Sequence, residues 1–124
     1  MAFSILVVDD SKSARFMLKK ELLSIITETE VVFTEGASGK EALDRCLNDK
    51  YDLIFLDLTM PDMTGYDVLD ALQRQGLRAN IIVVSADIQP GVAEKVKALG
   101  VIGYCKKPFS RQIIVDILKE NNLL

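Results

Sequence analysis

Five short apolar runs divide the chain: residues 5–8 (ILVV), 31–33 (VVF), 53–56 (LIFL), 81–84 (IIVV) and 101–105 (VIGYC). The first, third and fourth are apolar without alternation, as expected of strands covered on both faces in a parallel sheet. Between the runs, apolar residues recur at helical spacing. Ala14, Met17, Leu18, Leu22 and Ile25 predict one helix, and Ala42, Leu43, Cys46 and Leu47 a second behind a Ser38/Glu41 capping box. Thr64 can cap a third carrying Val68, Leu69 and Leu72. Pro90 suits the first turn of a fourth carrying Val92, Val96 and Leu99, with Gly100 at its C-terminal end. Ser110 precedes a fifth with Ile113, Ile114, Ile117 and Leu118. The pattern is (βα)₅, an α/β domain with a parallel five-stranded sheet, right-handed crossovers and helices on both faces. No repeat, low-complexity segment or linker interrupts it, so residues 1–124 are expected to form a single domain.

Composition narrows the function classes. Apolar residues make up 49% of the chain, enough for a core without a disulfide scaffold. A net charge of −3 gives no basic footprint for nucleic acid. No apolar run approaches the ~20 residues that span a bilayer, and the N-terminus lacks the basic region of a signal peptide. Cys46 and Cys105 are too few for a disulfide framework and too far apart for a metal-binding pair, which fits a reducing cytoplasm. The chain contains no histidine, which excludes histidine-ligated zinc and Ser-His or Cys-His triads.

Doubly wound sheets bind ligands beyond the carboxyl ends of their strands. At those ends stand Asp9 and Asp10, Asp57, Ser85-Ala86-Asp87 and Lys106-Lys107. Singly, an aspartate after a strand is as often a turn former or cap, and a lysine there an ordinary solvated one. Their joint placement at four strand ends is what points to a site. Two carboxylates ~4 Å apart repel by roughly 4 kcal/mol at an effective dielectric of ~20. Three in one pocket therefore take up protons or a cation. An all-oxygen site with room for water and phosphate oxygens favours Mg²⁺, or Mn²⁺, over zinc. With a divalent ion beside it, an aspartate can accept a phosphoryl group covalently, while a lysine and a hydroxyl hold the remaining oxygens.

Asp9-Asp10, Asp57 in LDLTMPDMTG, Ser85-Ala86 and Lys107-Pro108-Phe109 resemble, in order and spacing, the motifs of response-regulator receiver domains. The resemblance covers essentially the whole chain. It implies a flavodoxin-like fold with strand order 2-1-3-4-5, and a phosphoryl-accepting Asp57 served by a histidine kinase, a phosphotransfer protein or a small phosphodonor. By the same resemblance Asp10, Asp57 and the backbone carbonyl of Thr59 ligate Mg²⁺ directly, with Asp9 acting mainly through water. Lys107 pairs with the acyl phosphate, Ser85 is the switch hydroxyl and Tyr104 the switch aromatic. Thr59 and Asp87 set the lifetime of the phosphate, and the Lys107–Pro108 bond is cis. The output is a protein contact on the face of the fourth helix, fifth strand and fifth helix, with Ala93, Lys97, Tyr104 and Lys106 as contact positions.

Three other readings bear weighing. A haloacid-dehalogenase-like phosphohydrolase also uses an aspartyl phosphate, but places a second aspartate two residues after the nucleophile, where this chain has Thr59. A flavodoxin-like cofactor binder would need a Ser/Thr/Gly-rich phosphate loop after the first strand, where Asp9 and Asp10 stand. A degenerate docking module would lack part of the acidic set. The downstream role stays open among a stand-alone chemotaxis-type regulator, a phosphorelay intermediate and a receiver excised from a longer regulator.

Overall fold

Successive strand residues point to opposite faces, so an unbroken apolar run needs apolar cover on both. The structure, a computed structural model that describes residues 2–86 and 89–124, supplies it. Strands β1 (Phe3–Val8), β2 (Val31–Gly36), β3 (Leu53–Leu56), β4 (Ile81–Ser85) and β5 (Gly103–Lys106) alternate with helices α1 (Lys12–Ile25), α2 (Gly39–Asn48), α3 (Gly65–Arg74), α4 (Val92–Ala98) and α5 (Arg111–Glu120). All strand pairs are parallel, and the order is β2-β1-β3-β4-β5, the doubly wound arrangement expected. Among the described residues no helix is long and apolar enough to cross a membrane.

The alternation sorts the core into two layers. Ile5, Val7, Leu53, Phe55, Ile82 and Val84 pack against Leu18, Leu22 and Ile25 of α1 and Ile114, Ile117 and Leu118 of α5. Leu6, Val8, Ile54, Leu56, Ile81 and Val83 face Ala42 of α2, Val68, Leu69 and Leu72 of α3, and Val92 and Val96 of α4. Each fully buried leucine or isoleucine contributes about 1.5–3 kcal/mol of transfer free energy, so both faces hold the central strands firmly.

Several local expectations are corrected. Met17, Leu47 and Ile113 are about half exposed, because the buried stripe of each helix is narrower than its run of apolar residues. Strand β2 continues through Thr34 and Glu35 to Gly36; it lies at the sheet edge, where polar residues are tolerated and the apolar signal fades early. Strand β5 begins at Gly103 rather than Val101. Pro90 lies outside α4: Gly91 is the N-cap at φ +86°, a left-handed turn that breaks the helical run between them. Ser38 accepts from the Glu41 N–H as expected, but the Glu41 carboxylate takes the N–H of Ala37, so the Ser38/Glu41 box is not reciprocal. A reciprocal box forms at Thr64 and Asp67. Ser110 caps α5, and Gly100 follows α4 at φ +92°, both as predicted.

Candidate functional site

The first residue beyond β1, β3 and β5 is fixed by one more rung of the ladder. The Asp9 N–H donates to the Gly36 carbonyl at 3.1 Å, the Asp57 N–H to Val8 at 3.1 Å, and the Lys107 N–H to Ser85 at 2.9 Å. These bonds carry the order of the strands into the order of the side chains. One carboxylate oxygen each from Asp9, Asp10 and Asp57 lies within 4.8 Å of the others. Asp9 and Asp57 are buried and Asp10 is exposed at the mouth. The Lys107 ammonium reaches into the group, 2.7 Å from Asp9 Oδ2 and 3.3 Å from Asp57 Oδ2. The Lys107–Pro108 peptide is cis, as the resemblance implied.

Backbone donors hold the carboxylates in place. The Ser11 N–H donates to Asp9 Oδ1 at 2.9 Å and the Thr59 N–H to Asp57 Oδ1 at 3.3 Å. Behind Asp57, helix α3 begins against the strand end: a Cβ on Gly65 would stand 2.5 Å from the Asp57 carbonyl oxygen. Only glycine fits that approach. The loop between Asp57 and Gly65 is tied to α2, whose Gly39 and Lys40 N–H groups both donate to the Asp62 carboxylate at 3.1 Å. Those bonds hold Asp62 ionised below the ordinary carboxylate range, the one from Lys40 foremost.

Burial pushes the Asp57 carboxyl up from its ordinary value, against the pull of Lys107. The ammonium sits closer to Asp9, so it compensates Asp57 only in part. For Lys107, burial works against the charged form, but the hydrogen bond to Asp9 and the charges of Asp57 and Asp9 outweigh it, and its pKa rises.

An open cleft of about 510 Å³ is lined by Asp10, Asp57, Thr59, Ala86, Gln89 and Lys107. Another, of about 500 Å³ at the opposite end of the sheet around Leu69, Leu77 and Leu99, gathers no carboxylate. The donor set of the first suits a small hard cation. Three carboxylates against one ammonium leave two negative charges, which one divalent ion neutralises.

A family model described as the response regulator receiver domain matches residues 5–119. The chain belongs to that family. It is 35% identical to the chemotaxis protein CheY of Thermotoga maritima over 97% of this chain and 98% of that one. It is 40% identical to the response regulator SaeR of Staphylococcus aureus over 73% of this chain, which spans 39% of SaeR. Among solved structures, Vibrio cholerae CheY4 is similar with a TM-score of 0.77 and 30% identity, covering 97% of this chain and 98% of that one. The receiver domain of Francisella response regulator 1452 is similar with a TM-score of 0.77 and 28% identity, covering 97% and 94%. Receivers are signalling modules of two-component systems rather than catalysts.

In this receiver the remaining residues fall as follows. Ser85 ends β4 fully buried, opposite Lys106 in the β4–β5 register. Thr59 is exposed at the rim of the cleft. Tyr104 is half-buried, packed on the α2–α3–α4 side of the core. Ala93, Lys97 and Lys106 are exposed. Asp87 lies outside the described residues. Reading the sequence missed Gln89, which lines the cleft, and Arg15, whose guanidinium contacts the Asp9 backbone. Nothing in the pattern marks either; both are single polar residues among helical or loop positions.

Proposed function

We propose that this receiver is a phosphoryl-accepting switch of a two-component pathway, charged on Asp57 by a histidine kinase, a phosphotransfer protein or a small phosphodonor. The observation that carries this reading is the convergence of Asp9, Asp10, Asp57 and Lys107 at one sheet edge. A carboxylate oxygen of Asp57 attacks phosphorus, the donor's P–N or P–O bond breaks with its electron pair leaving on the donor, and an acyl phosphate forms. Asp10, Asp57 and the Thr59 carbonyl would hold Mg²⁺ (or Mn²⁺), with Asp9 acting through water. Once bound, the ion supplies positive charge against the transferred oxygens. Lys107, already within 3.3 Å of Asp57, is placed to move from Asp9 to a phosphoryl oxygen. Thr59 at the rim and Asp87 would set how water reaches the acyl phosphate. This reading goes with a cytoplasmic protein whose partners are proteins rather than nucleic acid or membrane.

Incubation with acetyl phosphate is expected to add one phosphoryl group by intact mass in the presence of Mg²⁺ and none with a chelator. Labelling indifferent to chelator, or absent with Mg²⁺, overturns the reading.

Output follows from the same bonds. A hydrogen bond from Ser85 to a phosphoryl oxygen draws the end of β4 inward, and Tyr104 moves into the space vacated. New charge-assisted bonds of about 1.5–3 kcal/mol each approach the ~5.5 kcal/mol that takes a two-state equilibrium from 1:99 to 99:1. The face remodelled is that of α4, β5 and α5, where Ala93, Lys97, Tyr104 and Lys106 would meet an effector protein. Beryllofluoride with Mg²⁺ should shift the amide resonances of Tyr104 and of residues 91–99. Shifts confined to the acidic cleft would show that no switch operates.

A further inference from the structure

We propose that Arg15 is a positioning residue for the acidic cleft: its guanidinium fixes the peptide between Asp9 and Asp10, and Glu35 aims the guanidinium. Arg15 Nη1 donates to the Asp9 carbonyl oxygen at 2.6 Å. Its Nε donates to Glu35 Oε1 at 2.9 Å, and the other Glu35 oxygen accepts from Lys19 at 3.0 Å. The Arg15 side chain is 13% exposed, so this fork sits against the protein rather than waving in solvent.

The contact matters because of where that oxygen lies. The Asp9 carbonyl and the Asp10 N–H share one rigid peptide plane. Holding the oxygen sets the direction from which the Asp10 side chain leaves the backbone. Asp10 is otherwise loosely held: its carboxylate has no hydrogen-bond or ion-pair partner among the described residues, whereas Asp9 and Asp57 each have a backbone donor and Lys107. The carboxylate with the fewest side-chain restraints is thus steered through its peptide.

Electrostatics explains the role of Glu35 at the end of β2. An uncompensated guanidinium beside a cation site would oppose the cation. Glu35, shared with Lys19, offsets part of that charge while holding the planar fork in the orientation that reaches the carbonyl. A lysine at position 15 keeps the charge but has one donor group at the end of a flexible stem, so it cannot reproduce both contacts.

The inference rests on reading the cleft as a metal-assisted phosphoryl acceptor, and two measurements separate them. In metal-free protein, Arg15→Ala should move the Asp10 amide ¹⁵N resonance, and Glu35→Gln should move it less. Lys19→Ala, which removes the other cation on Glu35 without touching the Asp9 carbonyl, should leave it in place. Second, Mn²⁺ affinity by electron paramagnetic resonance should fall about tenfold in Arg15→Ala, the low end of what losing an outer-shell partner costs. Arg15→Lys should lie between wild type and Arg15→Ala, and Lys19→Ala should match wild type. The acetyl-phosphate labelling rate of Arg15→Ala should fall at limiting Mg²⁺ and recover toward the wild-type rate as Mg²⁺ is raised, since the nucleophile and Lys107 are untouched. An unmoved Asp10 resonance in Arg15→Ala overturns the positioning role whatever the cleft binds. So does an Mn²⁺ affinity equal to wild type, or a loss matched by Lys19→Ala. Wild-type protein that neither binds Mn²⁺ nor takes a phosphoryl group sinks the phosphoacceptor reading instead.

Discussion

Asp57→Asn is expected to reduce phosphoryl incorporation from acetyl phosphate by on the order of 10³-fold or more, as removal of a nucleophile does, while leaving the fold intact. Asparagine has almost the same shape, so the buried site behind Leu56 is refilled without a void. Its side-chain oxygen can still accept the Thr59 N–H that Asp57 Oδ1 accepts at 3.3 Å. What disappears is the anionic oxygen needed to attack phosphorus. Lys107 keeps its closer partner, Asp9, at 2.7 Å. Burial is also the main reason the Asp57 carboxyl is raised from its ordinary value, so a neutral amide is easier to bury there than the carboxylate. The metal-free variant should therefore melt no lower than wild type at neutral pH. Intact mass and a thermal melt read the two halves of the expectation. Wild-type labelling in Asp57→Asn would move the acceptor to another residue, and a collapsed melt would mean the loss of labelling reports only misfolding.

Much of this was legible in one sequence because the fold multiplies each signal. Runs such as LIFL at 53–56 are apolar on every residue for the same reason that Asp57 follows immediately: the strand is buried on both faces, and its carboxyl end is the first place a charge can stand. Where a strand lies at the edge, as β2 does, polar Thr34 and Glu35 break the run and its end goes unseen. Helix ends read well where a side chain makes the cap, at Ser38, Thr64 and Ser110. They read poorly at α4, where the cap is backbone geometry at Gly91. The strand order came from the family resemblance, since periodicity within an element carries no record of its neighbours.

The site shows the same boundary. That Asp9, Asp10, Asp57 and Lys107 meet follows from strand ends, but how Lys107 divides itself between Asp9 and Asp57 is a matter of ångströms across 98 and 50 residues of chain. The tie between Asp62 and the first turn of α2 has the same character: Asp62 was visible inside LDLTMPDMTG, but its partners Gly39 and Lys40 are chosen by packing. Arg15 and Glu35 meet across 20 residues for a similar reason, and neither belongs to the motif that flagged the cleft. Sequence placed the residues of the cleft; it did not show what holds them.

Lys107→Met should destabilise the metal-free protein more than any other single change to the cleft. The ammonium is the cation shared by Asp9 and Asp57, whose side chains are 9% and 6% exposed. Removing one partner of a buried pair costs about 3–5 kcal/mol; with the lysine side chain itself 27% exposed, about 2–3 kcal/mol is the fitting figure. For a domain of this size that lowers the melting temperature by on the order of 10 °C. The pH dependence has a definite sign. Lys107 has a folded pKa above its ordinary value, so on the lysine's own titration its contribution is present below the ordinary lysine value and is lost as pH rises through the folded one. In the variant, the penalty falls on the buried carboxylates, and it should shrink as pH falls and Asp57, already raised by burial, takes up a proton. The gap in melting temperature between wild type and variant should thus be wide at pH 7 and narrow on acidification. Mg²⁺ at neutral pH should close part of it, because an added cation replaces the missing charge. A gap that ignores both pH and Mg²⁺ would mean that methionine disturbs packing, and that the ammonium is not what lets these two carboxylates share the cleft.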